Sequence, residues 1–203
     1  IFLLEINNPG TLGNKPVATK IISTFFQAVT PRTAGFNSLP IGEMRDSTLF
    51  FIIILMFIGA SPSSTGGGIK TTTFTTILAT VWSVIKGKQE IEVFKRRLPN
   101  EVVFKAITIT VISIGLVALI TLLLSVTEGV LPFVDLLFEA TSAFGTVGLS
   151  TGITPILSGF SKALLIATMF SGRVGLFTVV LALAQNRQKN ESVRYIQEKV
   201  IIG

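Results

Sequence analysis

Long apolar blocks set the plan of this chain. Residues 102–126 and 163–184 each carry a single charge and are long enough to cross a ~30 Å hydrocarbon core, which takes about 20 helical residues. Residues 48–85 span as well, but only if a polar, glycine-rich interruption over 61–70, inside "IGASPSSTGGGIKTTT", is tolerated. Two shorter apolar stretches, about 17–30 and 132–143, have roughly a dozen residues each and cannot cross, so they read as re-entrant or interfacial half-helices. Pro132 suits the first turn of the second, where its missing N–H is no loss. Pro31 is expected to end the first by disfavouring helical geometry at Thr30. The pattern predicts an all-α membrane protein with three spanning segments and two half-helices.

Composition sharpens this picture. Hydrophobic residues make up 49% and charged residues 14%, with mean hydropathy +0.71, whereas soluble domains carry about a quarter charged residues. Cys and His are absent, which removes thiol chemistry, disulfides, imidazole catalysis and most transition-metal sites. The acids lie mostly at the edges of apolar blocks, so paired acid/base catalysis has no support and no enzyme is expected. The net charge of +6 is unevenly placed: 86–105 and 185–203 are basic, whereas 127–162 has three acids and one Lys at its far edge. The positive-inside rule makes the basic segments cytoplasmic and 127–161 external. Because these charges flank spanning helices, they are read as topology and not as a nucleic-acid footprint. The opening "IFLL" reads as the tail of a helix from a larger membrane protein.

The chain also resembles itself. The pair Gln27-Ala28 recurs as Glu139-Ala140 at an offset of 112 residues. Thr33-Ala34-Gly35-Phe36 recurs as Thr146-Val147-Gly148-Leu149, and Met56-Phe57-Ile58-Gly59 as Met169-Phe170-Ser171-Gly172, both at 113. Each unit reads as a spanning helix, a short outer segment, a half-helix, a TxG turn and a second spanning helix. Non-helical backbone survives at membrane depth only when buried in protein or lining water. The C-terminal end of a half-helix, with roughly half a negative charge, favours a cation at its tip. Backbone carbonyls of Thr33, Ala34, Gly35 and of Thr146, Val147, Gly148 could then replace an ion's hydration shell. Ordinary glycine-containing outer loops are the plainer reading of a single TxG, and the repeat argues against it.

The interruption has several readings. A phosphate loop fails on spacing, since Ile69 separates Gly68 from Lys70 and an apolar helix leads in where a strand is needed. A discontinuous helix of a secondary solute or ion symporter stays open. A third reading pairs the loop with Arg173, which aligns with Ala60 and lies eleven residues from both Lys162 and Ala184. An intramembrane charge needs a partner or water. An unwound segment offers carbonyls and the hydroxyls of Ser61, Ser63, Ser64 and Thr65. The pair is either a staple between helices or, with Gly66, Gly67, Gly68 and Lys70, a movable gate.

"TPRTAGFNS", "GASPSSTGGGIKTTT" and "SAFGTVGLSTGITP" together resemble the Trk/Ktr/HKT superfamily of cation transporters, most of all the membrane subunits of bacterial Ktr potassium uptake systems. The resemblance covers nearly the whole chain, and it implies four M1–P–M2 repeats of a potassium-channel-like pore. Residues 1–98 would hold most of the third: the end of M1, a pore helix about 17–30, a filter about 31–37, a broken M2 about 47–86 and a cytoplasmic linker. Residues 99–203 would be the fourth: M1 about 100–127, pore helix about 132–143, filter about 144–149, M2 about 159–186 and a cytoplasmic C-terminus. By the same resemblance Gly35 and Gly148 are filter glycines, and the loop with Arg173 is the gate. K⁺ is the transported ion, bound at the filter only. The resemblance further implies a homodimer of membrane subunits in lipid, on a cytoplasmic ring of RCK-type regulatory subunits that would hold the nucleotide. With half the pore outside it, this chain alone should not conduct. TVGYG is not matched beyond Thr146-Val147-Gly148, so fewer carbonyl sites and looser selectivity are expected. Asp135 and Glu139 on the second half-helix could raise cation concentration at the mouth or be solvated structural acids. Residues 192–202 could form an amphipathic cytoplasmic helix.

Overall fold

A computed structural model of the chain describes residues 1–87, 91–93 and 96–175. Among them the fold is helical: α1 (Phe2–Glu5), α2 (Val17–Val29), α3 (Asp46–Phe57), α4 (Thr71–Ile85), α5 (Asn100–Thr127), α6 (Phe133–Phe144) and α7 (Gly159–Val174). Two 3₁₀ turns, Ile41–Glu43 and Thr154–Ile156, lie on the connections. The basic connection between α4 and α5 also contains a two-residue antiparallel ladder, β1 (Glu92–Val93) with β2 (Arg96–Arg97), which the apolar pattern gave no reason to expect. The expected extension of the last spanning segment to 186 and the amphipathic helix over 192–202 lie outside the described residues.

α6 is the hub, with α3, α5 and α7 packed around it. From Phe138 to Phe144 every residue is covered, the polar Glu139, Thr141 and Ser142 included, as is Leu136. On one side, Leu49, Ile52, Ile53 and Met56 of α3 form a core with Phe138 and, beyond α6, with Val147 and Leu149. On another, Ile120 and Leu124 of α5 and Leu165 of α7 pack on Leu136, Ala140 and Ala143. α5 has 28 residues, about 42 Å at 1.5 Å per residue, and is the described helix long and apolar enough to cross a membrane. Its outer side exposes Val111, Ile114, Leu119 and Leu122, which suits contact with lipid.

Two local expectations from proline are revised. Thr30 keeps right-handed helical angles (φ −56°, ψ −30°) directly before Pro31. Its hydroxyl holds the carbonyl of Phe36 and the N–H of Ala34 returns to the Thr30 carbonyl. These contacts fix the geometry against the pre-proline preference. Pro132 sits one position earlier than expected, as the extended N-cap of α6 (φ −60°, ψ 137°).

Close backbone contact fixes α7 to α6. A Cβ at Gly172 would lie 2.0 Å from the Phe144 carbonyl oxygen. Because that obstacle is backbone, Gly172→Ala must push the helices apart, with overpacking costs of about 1–3 kcal/mol. A lowered melting temperature of the purified whole protein is the expected result, and an unchanged one would contradict this contact.

Candidate functional site

α2 and α6 each bring a C-terminal end to a short turn, Thr33-Ala34-Gly35 after one and Thr146-Val147-Gly148 after the other. In both, the Thr and the Gly take left-handed backbone: φ is 66° at Thr33, 74° at Gly35, 50° at Thr146 and 88° at Gly148. Left-handed angles are rare for a β-branched residue, and holding them costs of order 1–3 kcal/mol each. Side-chain anchors on the half-helices hold both turns. The Thr30 hydroxyl donates to the carbonyl of Phe36, and the Ser142 hydroxyl donates to that of Leu149 at 2.6 Å. Thr30 and Ser142 are 112 residues apart, and Phe36 and Leu149 are 113 apart. The same shift from 112 to 113 marks the sequence repeat, so the extra residue of the second unit falls between anchor and turn.

The two turns face each other. A Cβ at Gly35 would lie 2.5 Å from the Val147 carbonyl oxygen, and one at Gly148 would lie 3.7 Å from the Gly35 Cα. At their inner end, the Thr33 hydroxyl points to the Gly145 carbonyl at 3.4 Å. The surroundings of the two turns differ. Val147 and Leu149 are buried against α3, whereas Phe36 is 71% exposed and α2 exposes Ile22, Phe25 and Val29.

Between α3 and α4 the chain leaves the helix from Ile58 to Lys70, three residues earlier than the sequence suggested. The base of this loop is pinched shut. Ile58 and Ile69 form a parallel bridge, the Gly59 N–H donates to the Ile69 carbonyl at 2.8 Å, and the Ile69 N–H donates to that of Phe57 at 3.1 Å. A side chain at Gly59 would fall 2.0 Å from the Gly67 carbonyl oxygen, so only glycine fits here. The loop then runs under the paired turns. The Gly67 N–H donates to the Thr146 hydroxyl at 3.0 Å, and a Cβ at Gly66 would lie 2.9 Å from the Thr33 hydroxyl. Gly66 and Gly67 are buried there, whereas Ser61, Pro62, Ser63, Ser64 and Thr65 are exposed.

Two cations hold the loop. Lys70 Nζ folds back to the carbonyls of Gly66 (2.6 Å) and Ser64 (3.3 Å). Arg173, in the last described turn of α7, donates from Nη1 to the Thr65 carbonyl. The partner of Arg173 is thus a backbone carbonyl. The Ser64 hydroxyl instead accepts from the Gly66 N–H at 3.3 Å.

Glu139 is not a solvated acid. It is 5% exposed. Its carboxylate accepts from the hydroxyls of Ser150 and Thr154 and from the Thr151 N–H, which ties down the segment after Gly148. Asp135 lies in the first turn of α6, half-buried. Sequence reasoning passed over two acids, Glu5 and Glu128, each standing directly after an apolar run; only the fold shows what they bind.

These arrangements can be set beside known proteins. The family model described as "TrkH: Cation transport protein" matches residues 1–195. The chain is 45% identical over 203 residues to "Ktr system potassium uptake protein B" of Bacillus subtilis (strain 168), covering 100% of this chain and 45% of that protein. It is 36% identical over 208 residues to "Potassium/sodium uptake protein NtpJ" of Enterococcus hirae, again covering 100% of this chain and 46% of the relative. The solved structure of the potassium transporter TrkH from Vibrio parahaemolyticus superposes with a TM-score of 0.73 at 20% identity, over 90% of this chain and 40% of that one. At that identity the likeness is one of fold. The chain spans less than half the length of these relatives. It belongs to the TrkH/Ktr family of cation transport proteins, which are membrane transporters and not enzymes.

Proposed function

We propose that residues 1–98 and 99–203 are two successive M1–P–M2 units, the third and fourth of a four-unit pore. α2 and α6 are their pore helices, and Thr33–Gly35 and Thr146–Gly148 are facing quarters of a carbonyl-lined selectivity filter. Through it the whole protein passes monovalent cations, K⁺ foremost, across the cell membrane. The loop from Ser61 to Lys70, held by Arg173, is its intramembrane gate. The observation that carries this reading is the meeting of three segments at one place: two left-handed turns facing each other and a glycine loop bonded to the inner threonine of one of them. The exposed apolar face of α2 and the exposed Phe36 are where the remaining units would pack. The names of the relatives support K⁺ as cargo, and that of NtpJ leaves Na⁺ as a second ion. K⁺ is the transported substrate, and no resident cofactor is proposed.

The word "system" in the Ktr relatives' names supports further subunits. In this reading the membrane subunit is a homodimer on a cytoplasmic RCK-type ring that binds the nucleotide and acts on the loop through the basic segments at 86–105 and 185–203.

Uptake into proteoliposomes containing the whole protein tests the function. A carbonyl filter gives K⁺ uptake that organic solutes neither support nor inhibit, graded by cation size across Na⁺, K⁺ and Rb⁺. Uptake that requires an organic solute in fixed ratio would instead establish the symporter.

A further inference from the structure

Both units close their outer ends with the same device. Glu5, the last residue of α1, is completely buried, and its Oε1 accepts from the backbone N–H of Arg45 (3.0 Å) and the hydroxyl of Thr48 (2.5 Å). Arg45 is the N-cap of α3 and Thr48 lies in its first turn. Glu128, the C-cap of α5, accepts at its Oε1 from the backbone N–H of Ser158 (2.8 Å) and the hydroxyl of Ser161 (2.7 Å). Ser158 is the N-cap of α7 and Ser161 lies in its first turn. Arg45 and Ser158 stand 113 residues apart, as do Thr48 and Ser161, so the receiving ends keep the repeat register. The two glutamates lie 123 apart, because the connection to the pore helix is longer in the first unit. In each unit a carboxylate at the end of the entering helix thus satisfies the free N–H end of the leaving helix, where a negative charge is also favoured by the helix dipole. The Ser158 hydroxyl and N–H, with the Ser161 hydroxyl, hold the Glu128 carboxyl below the usual range, so it is charged at neutral pH.

We infer that Glu5 and Glu128 are positioning residues for ion selection, carboxylate clamps that fix the outer ends of the units, and that Glu5 acts on the filter of the neighbouring unit. The route is packing. The helix that Glu5 caps carries Leu49, Ile52 and Met56, which form the wall behind Val147 and Leu149. A loosened α3 start frees that wall and the carbonyls it supports. The inference rests on reading 146–149 as filter.

The clamps differ in a way that makes the inference testable. Glu5 uses both oxygens, since Oε2 also accepts from Asn8 Nδ2 (2.6 Å) and the Thr11 hydroxyl (2.5 Å). Glu5→Gln must therefore turn an NH₂ against two donors. The Ser158 N–H and the Ser161 hydroxyl both reach Glu128 at Oε1, which a glutamine keeps, so Glu128→Gln disturbs at most the contact from the Ser158 hydroxyl. In the whole protein, Glu5→Gln should lower the K⁺ over Na⁺ uptake preference by about threefold or more, the scale of one misplaced buried hydrogen bond. Thr48→Val, which removes one donor and keeps the shape, should lower it less. Glu128→Gln should lower the preference less than Glu5→Gln does, and Glu128→Ala should lower it more than Glu128→Gln. Thermal melts confirm which variants are folded. An acid that merely attracts cations gives the opposite order, since Glu128, only half-buried, would then lose more than Glu5 on becoming Gln. That order, or a preference unchanged in folded Glu5→Gln and Thr48→Val, overturns the clamp. If Gly148→Ser shifts the preference while the clamp variants do not, the filter stands and only this inference falls.

Discussion

Deleting residues 64–68 in the whole, partner-bound protein is expected to raise cation flux by about five- to tenfold and to make it largely independent of the regulatory partner. In the proposed gate, this deletion removes the two hydrogen bonds that would hold the loop closed. One is the Gly67 N–H on the Thr146 hydroxyl, and the other is the Thr65 carbonyl on Arg173. Each intramolecular hydrogen bond is worth about 0.5–1.5 kcal/mol net, and the lower end of that range, taken for a loop with exposed residues, makes the two together bias opening by the stated factor. The deletion should leave the helices in place, because the pinch between Ile58 and Ile69 and the bond from the Thr71 N–H to the Ala60 carbonyl lie outside the deleted segment. Arg173→Ala removes one hold and leaves the obstruction, so a rise of about two- to threefold is expected for a single exposed contact. Radioactive rubidium uptake with and without the partner checks both. If both variants are folded, in the membrane and still fully regulated, the loop is not the gate.

Substitution of the two facing glycines is expected to have unequal effects. Both have left-handed φ, so serine at either is strained by about 1–2 kcal/mol. At Gly148 the added Cβ meets the Gly35 Cα at an ordinary 3.7 Å. At Gly35 it lies 2.5 Å from the Val147 carbonyl oxygen, so the opposing strand must move as well. Gly35→Ser should therefore abolish most K⁺ preference, and Gly148→Ser should reduce it by about tenfold, the factor that 1.4 kcal/mol gives. Competition of Na⁺ against rubidium uptake measures this. A preference untouched by Gly148→Ser would show that these turns do not select the ion.

Much of this arrangement was legible in the sequence because the chain repeats. Matching Thr33–Phe36 with Thr146–Leu149 locates both turns. The glycine run could be read as a break because three glycines in an apolar block give up about 1 kcal/mol of helix propensity each. What stayed hidden depends on contacts between distant segments. Nothing local to "IFLLE" says that Glu5 will meet Arg45 and Thr48. Since the glutamates fall out of register with each other, the repeat comparison passes over them. The burial of Glu139 was hidden for a similar reason: its partners Ser150, Thr151 and Thr154 lie beyond the turn, and only the fold brings them back over the half-helix. The early start of the interruption at Ile58 was likewise invisible, since Ile58 and Ile69 are apolar and leave the helix only because they pair with each other.

The central claim is that the loop must leave the underside of the filter for ions to pass. The chain has no native Cys, so a Thr65→Cys, Arg173→Cys pair, in the whole protein freed of other cysteines, places two thiols where the loop meets α7. Bridging them with a short bifunctional methanethiosulfonate holds the loop against α7, where Thr65 and Arg173 meet. The account predicts that bridging stops partner-activated K⁺ uptake, that reductant restores it, and that neither single substitution responds. Full activated uptake with the bridge shown to be complete would contradict it.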